Sequence, residues 1–248
     1  MRAIMITELK KNLQDKGLLF WMVILPILFT VLFIAIFTGN TDETTRKQVI
    51  VSIIPGYVVM FVFFIIISMV STFNKDRDKG MTARFASTPL RPYFYMLGKW
   101  LPYMFIVFIQ IFVLLLFGKI VYNVPLEQPM VLLILSIFLT FTVTAIGLAT
   151  AVMVKTENMG LAITQIIALG GAMLSGLWIP HDMMPDFMQT ISYFLPQFWA
   201  HQAFQDAMAG NINYSDLFQT LLILFCIGVA GFVLAIFRYP VFLKRSVT

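Results

Sequence analysis

Few residues in this chain could act on a substrate covalently or hold a metal. There are two histidines, His181 and His201, and one cysteine, Cys226. The histidines lie far apart, with no Glu or Cys at ligand spacing, and no His-Glu-x-x-His run occurs, so no metal site is expected. One cysteine leaves no internal disulfide and no cysteine cluster, and Cys226 reads as packing. There is no Gly-x-x-x-x-Gly-Lys-Ser/Thr loop to cradle a nucleotide phosphate. The chain is therefore not expected to be an enzyme or to carry a cofactor. Any uphill work it does must draw its energy from a partner.

The segment 74–92 is the richest in usable groups. It opens on alternating charge in Asn74-Lys75-Asp76-Arg77-Asp78-Lys79, passes through Gly80, and reaches a semi-apolar stretch over 81–87. That stretch has the length of about two helical turns. Thr88-Pro89 ends it, because a residue before proline avoids the helical region. A short surface helix between two crossings is a lever, since pushing it moves both. A solvated basic loop against anionic lipid fits the same residues.

A second pattern is Gly160, Thr164, Ala168, Ala172 and Gly176, spaced by four, with Gly171 and Ser175 beside them. Small residues at this spacing let helices approach closely in lipid. The stripe is either packing inside one bundle, a seam against a second copy, or the wall of a path. Span 4 carries Thr140, Thr142 and Thr144, and span 3 carries Gln110, a lone amide expected to bond across to a neighbouring helix rather than to a substrate. A third segment carries Pro180, Pro185 and Pro196 among Trp178, Tyr193, Phe194, Phe198 and Trp199. Its prolines break any continuous crossing, so it reads as a helical element that dips into the membrane and returns, a lid over the spans.

The elements that position these groups follow from composition. Of 248 residues, 60% are hydrophobic and 12% charged, about half the roughly 25% of soluble domains. That excludes a soluble enzyme, a disordered chain and a small secreted scaffold. Uncharged windows long enough to cross about 30 Å of hydrocarbon predict an all-α polytopic membrane domain over 1–248. Its six transmembrane helices lie at about 18–38, 50–73, 100–122, 129–154, 159–180 and 215–237. A seventh window, 187–205, holds too many polar groups and Pro196, and is rejected as a span. The outer element then covers 181–214. No charge interrupts the span centres, which argues against a proton- or sodium-coupled transporter.

The net charge of +5 would suggest nucleic acid in a soluble protein, but here it follows topology. Arg2, Lys10, Lys11 and Lys16 precede the first span, the loop 74–92 and Lys99 are basic, and Lys155, Arg238, Lys244 and Arg245 fall on the same side. Arg46, Lys47 and Lys119 are alone on the other. By the positive-inside rule both termini are cytoplasmic in a multi-pass bacterial cytoplasmic-membrane protein. No cleavable signal peptide is evident. Met5, Leu9 and Leu13 share a face, predicting an N-terminal interfacial helix. The lipid bilayer is the expected partner, and nucleic acid is not.

Together these segments resemble the type-2 ATP-binding cassette exporter permeases. The resemblance lies in Asp76-Arg77-Asp78-Lys79-Gly80, then Thr88-Pro89-Leu90, then Gly98-Lys99 entering the third span, and in Gly176, Pro180, Pro185 and Pro196. Met81 stands where the family usually has Thr, and Ala83 where an acidic residue is common. The resemblance implies a permease that pairs with a second copy or a paralogue. It implies two ATPase subunits docked below the loop 74–92 and the N-terminal helix, and movement of spans 2 and 5 along a central path. The bulk character of the spans suits an amphipathic drug, peptide antibiotic or lipid as cargo. A membrane anchor or sensor that docks a cytoplasmic partner through 74–92 shares the topology. An intramembrane enzyme would need polar groups converging at depth.

Overall fold

Long apolar segments satisfy their own backbone only as helices once they leave water. The computed structural model describes residues 2–39, 43–87, 92–178 and 181–244. Among them every regular element is helical, and six helices are long and apolar enough to cross a bilayer. Span 1 is Lys16–Thr38, span 2 Val49–Asp78, span 3 Phe94–Tyr122, span 4 Pro129–Met153, span 5 Glu157–Leu174 and span 6 Tyr214–Lys244. An N-terminal helix (Arg2–Gln14) precedes span 1 and a loop helix (Met81–Ala86) joins spans 2 and 3. Two cover helices, Asp186–Ser192 and Pro196–Ala209, lie between spans 5 and 6. The bundle thus has a near end, with the N-terminal and loop helices, and a far end, with the cover helices.

The rejected seventh window forms these two short cover helices, of 7 and 14 residues. Pro196 starts the second one, where its missing N–H costs nothing. Two boundaries differ from expectation. Span 2 stays helical through Asn74-Lys75-Asp76-Arg77-Asp78, because those charges find partners and need no loop to reach water. Span 5 ends at Leu174 rather than near 180. Gly176 takes φ +77° and the Leu177 N–H reaches back to the Ala172 carbonyl, 3.2 Å away, a glycine-terminated helix end.

Span 2 is the most buried of the six and forms the centre. Span 4 lies against it, with Gly147 facing the Met69 sulfur. Span 6 lies against span 4 so closely that a side chain on Gly231 would meet the Ala145 backbone at 3.1 Å. The Thr142 hydroxyl donates across to the Leu224 carbonyl at 2.8 Å. Thr144 bonds the Thr140 carbonyl of its own helix. Gln110 is buried with both amide atoms unpartnered among the described residues, so the expected bond to a neighbour is not made there. Cys226 is exposed on span 6 rather than packed.

Helix irregularities fall on three of the six spans. Span 1 carries a π-turn at Phe20–Ile24 just before Pro26, which has no N–H to continue the ladder. Span 2 breaks at Phe63 and Phe64, where the bonds tighten to the three-residue spacing. Span 5 carries a π-turn at Ile166–Gly170. Spans 3, 4 and 6 are each one unbroken α-helix.

Candidate functional site

At the near end the N-terminal helix turns a polar face inward. Glu8 and Asn12, one turn apart, are buried, while Ile6 and Leu13 are exposed. The face turned to the bundle is the polar one, while Met5 and Leu9 are half-buried and Leu13 is exposed. The reason is Lys99. Its side chain is 0% exposed, inside the first turns of span 3. A buried ammonium needs counter-charge. Asp76, in the last turns of span 2, contacts its Nζ directly, and Glu8 lies 3.8 Å away. Lys11 closes the cluster at 3.9 Å from both Asp76 and Glu8. The Lys99 ammonium also stands 4.7 Å from the centre of the Phe73 ring. Two carboxylates and two ammonium groups thus hold the N-terminal helix, span 2 and span 3 together.

The charged segment divides in two. Asp76 points inward to this cluster. The Arg77 guanidinium donates to the Lys155 carbonyl at 2.9 Å and to Asp78 at 3.0 Å, tying span 2 to the turn between spans 4 and 5. Lys75 pairs loosely with Glu157 at 3.8 Å. Asp78 and Lys79 are outermost, and Gly80 (φ +69°) reverses the chain into the loop helix with open space around it. Thr88, Pro89 and Leu90 lie outside the described residues, as does Pro180.

Along spans 1, 2 and 5 lie three neighbouring chambers, which share lining residues and line up as a groove. The near chamber, about 330 Å³, is lined by Lys11, Asn12, Asp15, Ser68, Ser71, Thr72, Lys75 and Glu157 among others. The middle chamber, about 480 Å³, is lined by Trp21, Phe29, Phe33, Tyr57, Phe61, Phe64 and Trp178 with aliphatic residues and Gln165. The far chamber, about 490 Å³, holds Ser52, Ser175, His181, His201, Gln202 and Gln205. Trp21, Phe64 and Gln165 line both near and middle chambers, and Phe37, Ile53, Leu177 and Trp178 both middle and far. The middle wall is an aromatic ladder. Phe33 meets Tyr57 at 5.4 Å between ring centres, Phe29 meets Phe61 at 5.7 Å, and Phe61 meets Phe64 at 5.6 Å. The three irregular helices are the ones that border the groove, as expected where non-ideal backbone is tolerated at membrane depth.

The small residues of span 5 face inward. Gly160, Thr164, Ala168 and Ala172 are buried, and a side chain at Gly160 would stand 2.2 Å from Val70 on span 2. Gly176 lies past the helix end. At the far end Pro185 opens the first cover helix and Pro196 the second. The second is anchored into the bundle: Gln197 donates to the Ile167 carbonyl at 2.9 Å, and Gln205 to the Ser52 hydroxyl at 2.9 Å. His201 lies 3.3 Å from the Ser52 carbonyl, which can only accept, so its Nε2 carries the proton. Burial pushes the His201 imidazole down to about 4, partly offset by this bond, and leaves it neutral. His181 pairs with Ser192 at 3.0 Å.

The Glu8–Lys99 pairing and the groove were not foreseen. Lys99, alone among Tyr95, Trp100 and Tyr103, signals a need for counter-charge. Phe29, Phe33 and Phe37, with Tyr57 and Phe61, carry four-residue aromatic spacing on two successive spans.

A six-span helical bundle with a graded groove through it has the form of a membrane permease. The family follows from comparison: the model of ABC-2 family transporter proteins matches residues 44–237, and the chain belongs to that family. It is similar to the linearmycin resistance permease protein LnrN of Bacillus subtilis (strain 168), with 27% identity over 180 residues, 73% of this chain and 44% of that protein. It is similar to the putative transport permease YvfS of the same organism, with 27% identity over 78% of this chain and 79% of that protein. The inner membrane transport permease YhhJ of Escherichia coli (strain K12) is 26% identical over 68% of this chain and 46% of its own length. The chain thus spans less than half the length of two of these relatives. Family membership makes it a multi-pass membrane permease component of an ABC transporter.

Proposed function

We propose that this chain is the membrane-spanning subunit of an ATP-driven exporter that moves an amphipathic compound outward. A separate pair of ATPase subunits supplies the energy, and a second permease copy or paralogue completes the pore. The near end is then cytoplasmic, and the lever is the segment from Asp76 to the loop helix. Asp78, Lys79 and Gly80 offer the ATPase contact, and Thr88 and Pro89 close the segment. Asp76 and Arg77 pass the push inward, to the N-terminal helix and span 3 through Lys99, and to the turn before span 5 through the Lys155 carbonyl. The seam Gly160, Thr164, Ala168, Ala172 and Gly176 carries span 5 against span 2, and the element with Pro180, Pro185 and Pro196 covers the outer mouth. ATP shifts the populations of inward- and outward-open states only if the ATPases bind one of them more tightly.

The observation that carries this reading is the groove itself. Its chambers share lining residues, it is bordered by the three irregular spans, and its near end adjoins the ion cluster that holds the lever. The test is reconstitution in proteoliposomes with and without an ABC ATPase subunit that co-purifies with the chain. A fluorescent amphiphile should accumulate only with ATPase and ATP. Gly80→Pro and Asp78→Lys should insert normally yet lose ATP stimulation. Uphill transport by the chain alone, or unchanged coupling in both variants, would overturn the proposal.

A further inference from the structure

Resting on the reading of the groove as a transport path, its lining narrows the substrate. Among the described residues, no Asp, Glu, Lys or Arg lines the middle or the far chamber. A charged group there would lose water with no counter-ion among those described lining residues, which is unfavourable. The middle chamber offers aromatic faces, suited to a flat or extended apolar body. The far chamber offers hydrogen-bonding groups that are neutral. Ser175 is 1% exposed, lines that chamber, and its hydroxyl has no partner among the described residues. A buried hydroxyl without a partner is costly, and a ligand hydroxyl or carbonyl would satisfy it. His201 donates from Nε2 to Ser52, which leaves Nδ1 an acceptor. Gln202 and Gln205 add amides that both donate and accept. Among the described lining residues, the charged ones fall in the near chamber: Lys11, Asp15, Lys75 and Glu157.

We infer that the substrate class is an elongated, uncharged amphiphile: an apolar body that lies along the aromatic ladder and a hydroxyl- or sugar-bearing end that occupies the far chamber. Each of the two large chambers has the volume of a drug-sized site, so body and head each have room. Ionised headgroups are disfavoured at the same positions.

Photo-labelling of the full chain in lipid nanodiscs tests this. Three probes share one diazirine-bearing dodecyl tail and differ in the head: glucoside, sulfate and trimethylammonium. The glucoside should label peptides containing Tyr57 and Trp178 saturably, about tenfold more tightly than either charged probe, as one or two neutral hydrogen bonds gained and one charge excluded would give. Ser175→Ala and Gln205→Leu should each weaken glucoside labelling by about three- to tenfold. Gln202→Glu, on an exposed side chain, should raise trimethylammonium labelling and leave the sulfate low. Equal or tighter labelling by both charged probes, with saturation in the groove, overturns the substrate class while leaving the path. No saturable labelling by any probe, the outcome if a second copy of this chain fills the groove, overturns the path reading and the substrate class with it.

Discussion

The side-chain amide of Gln197, on the second cover helix, donates to the main-chain carbonyl of Ile167 at 2.9 Å. That carbonyl belongs to the π-turn of span 5, where the ordinary four-residue ladder is displaced. The contact joins the cover directly to an irregular point of a groove-lining helix. Gly171 makes room for it, since a side chain there would stand 2.3 Å from the Gln197 nitrogen.

Gln197→Leu should therefore remove the cover's bond to the Ile167 carbonyl, which keeps its contact with the Gly171 N–H, at a cost of about 0.5–1.5 kcal/mol. Hydrogen exchange should rise over residues 166–171 and 196–203 together. Gly171→Ala should reproduce the effect by displacing the amide, and the double variant should be no worse than the more severe single one. Additive losses would show that the two residues act on separate contacts.

Removing Lys99 should be among the most damaging single changes. Lys99→Met leaves Asp76 and Glu8 facing each other without their buried partner, a loss of about 3–5 kcal/mol for a broken buried pair. The N-terminal helix should detach first, seen as trypsin cleavage at Lys10 and Lys11 under conditions where the wild-type chain resists. Replacing all three charged groups with apolar residues, Lys99→Met with Asp76→Leu and Glu8→Leu, should restore much of the resistance. It should still fail to couple ATP hydrolysis to transport if the cluster is the lever's anchor.

The six crossings were readable because apolar length alone decides them. The helix ends were not, because a charge was read as an end. Asp76 remains helical because Lys99 neutralises it from another span, and that pairing has a sequence separation no window contains. The same non-local contact orients the N-terminal helix: the stripe of Met5, Leu9 and Leu13 marks an interfacial helix, whereas the burial of Glu8 follows only from the cation opposite it. The stripe from Gly160 to Ala172 was visible as spacing, whereas its facing residue, Val70, was not. The groove needed three spans that are not consecutive and two π-turns that leave no compositional mark. Only the proline after the first, Pro26, hinted at one.

Docking of the second cover helix should weaken in acid. Burial sets the His201 value at about 4 in the packed state, against 6.5 when free. A group whose packed value is depressed in this way binds its proton more readily once released. Packing is then unaffected above about pH 6.5, declines as pH falls from there to about 4, and levels off below. The whole effect is about 3 kcal/mol. Trp199 fluorescence and hydrogen exchange over residues 196–209 should both follow that window. His201→Gln should remove the pH dependence while keeping a donor for the Ser52 carbonyl.

Spans 2 and 5 approach tightly at Gly160, and the consequence can be separated from general damage by a compensating pair. Gly160→Ala places a carbon 2.2 Å from the Val70 side chain. Overpacking of this kind costs about 1–3 kcal/mol and should push the near half of span 5 away from span 2. Val70→Ala alone creates a small void. Combined, the two changes add one methyl group on span 5 and remove two from span 2, which relieves the clash with the Val70 methyls and should recover much of the lost thermal stability. If the spans slide on each other during transport, the double variant should be stable yet altered in rate, because only its packed state has been repaired. Full recovery of stability and of rate together would mean that the contact serves packing alone.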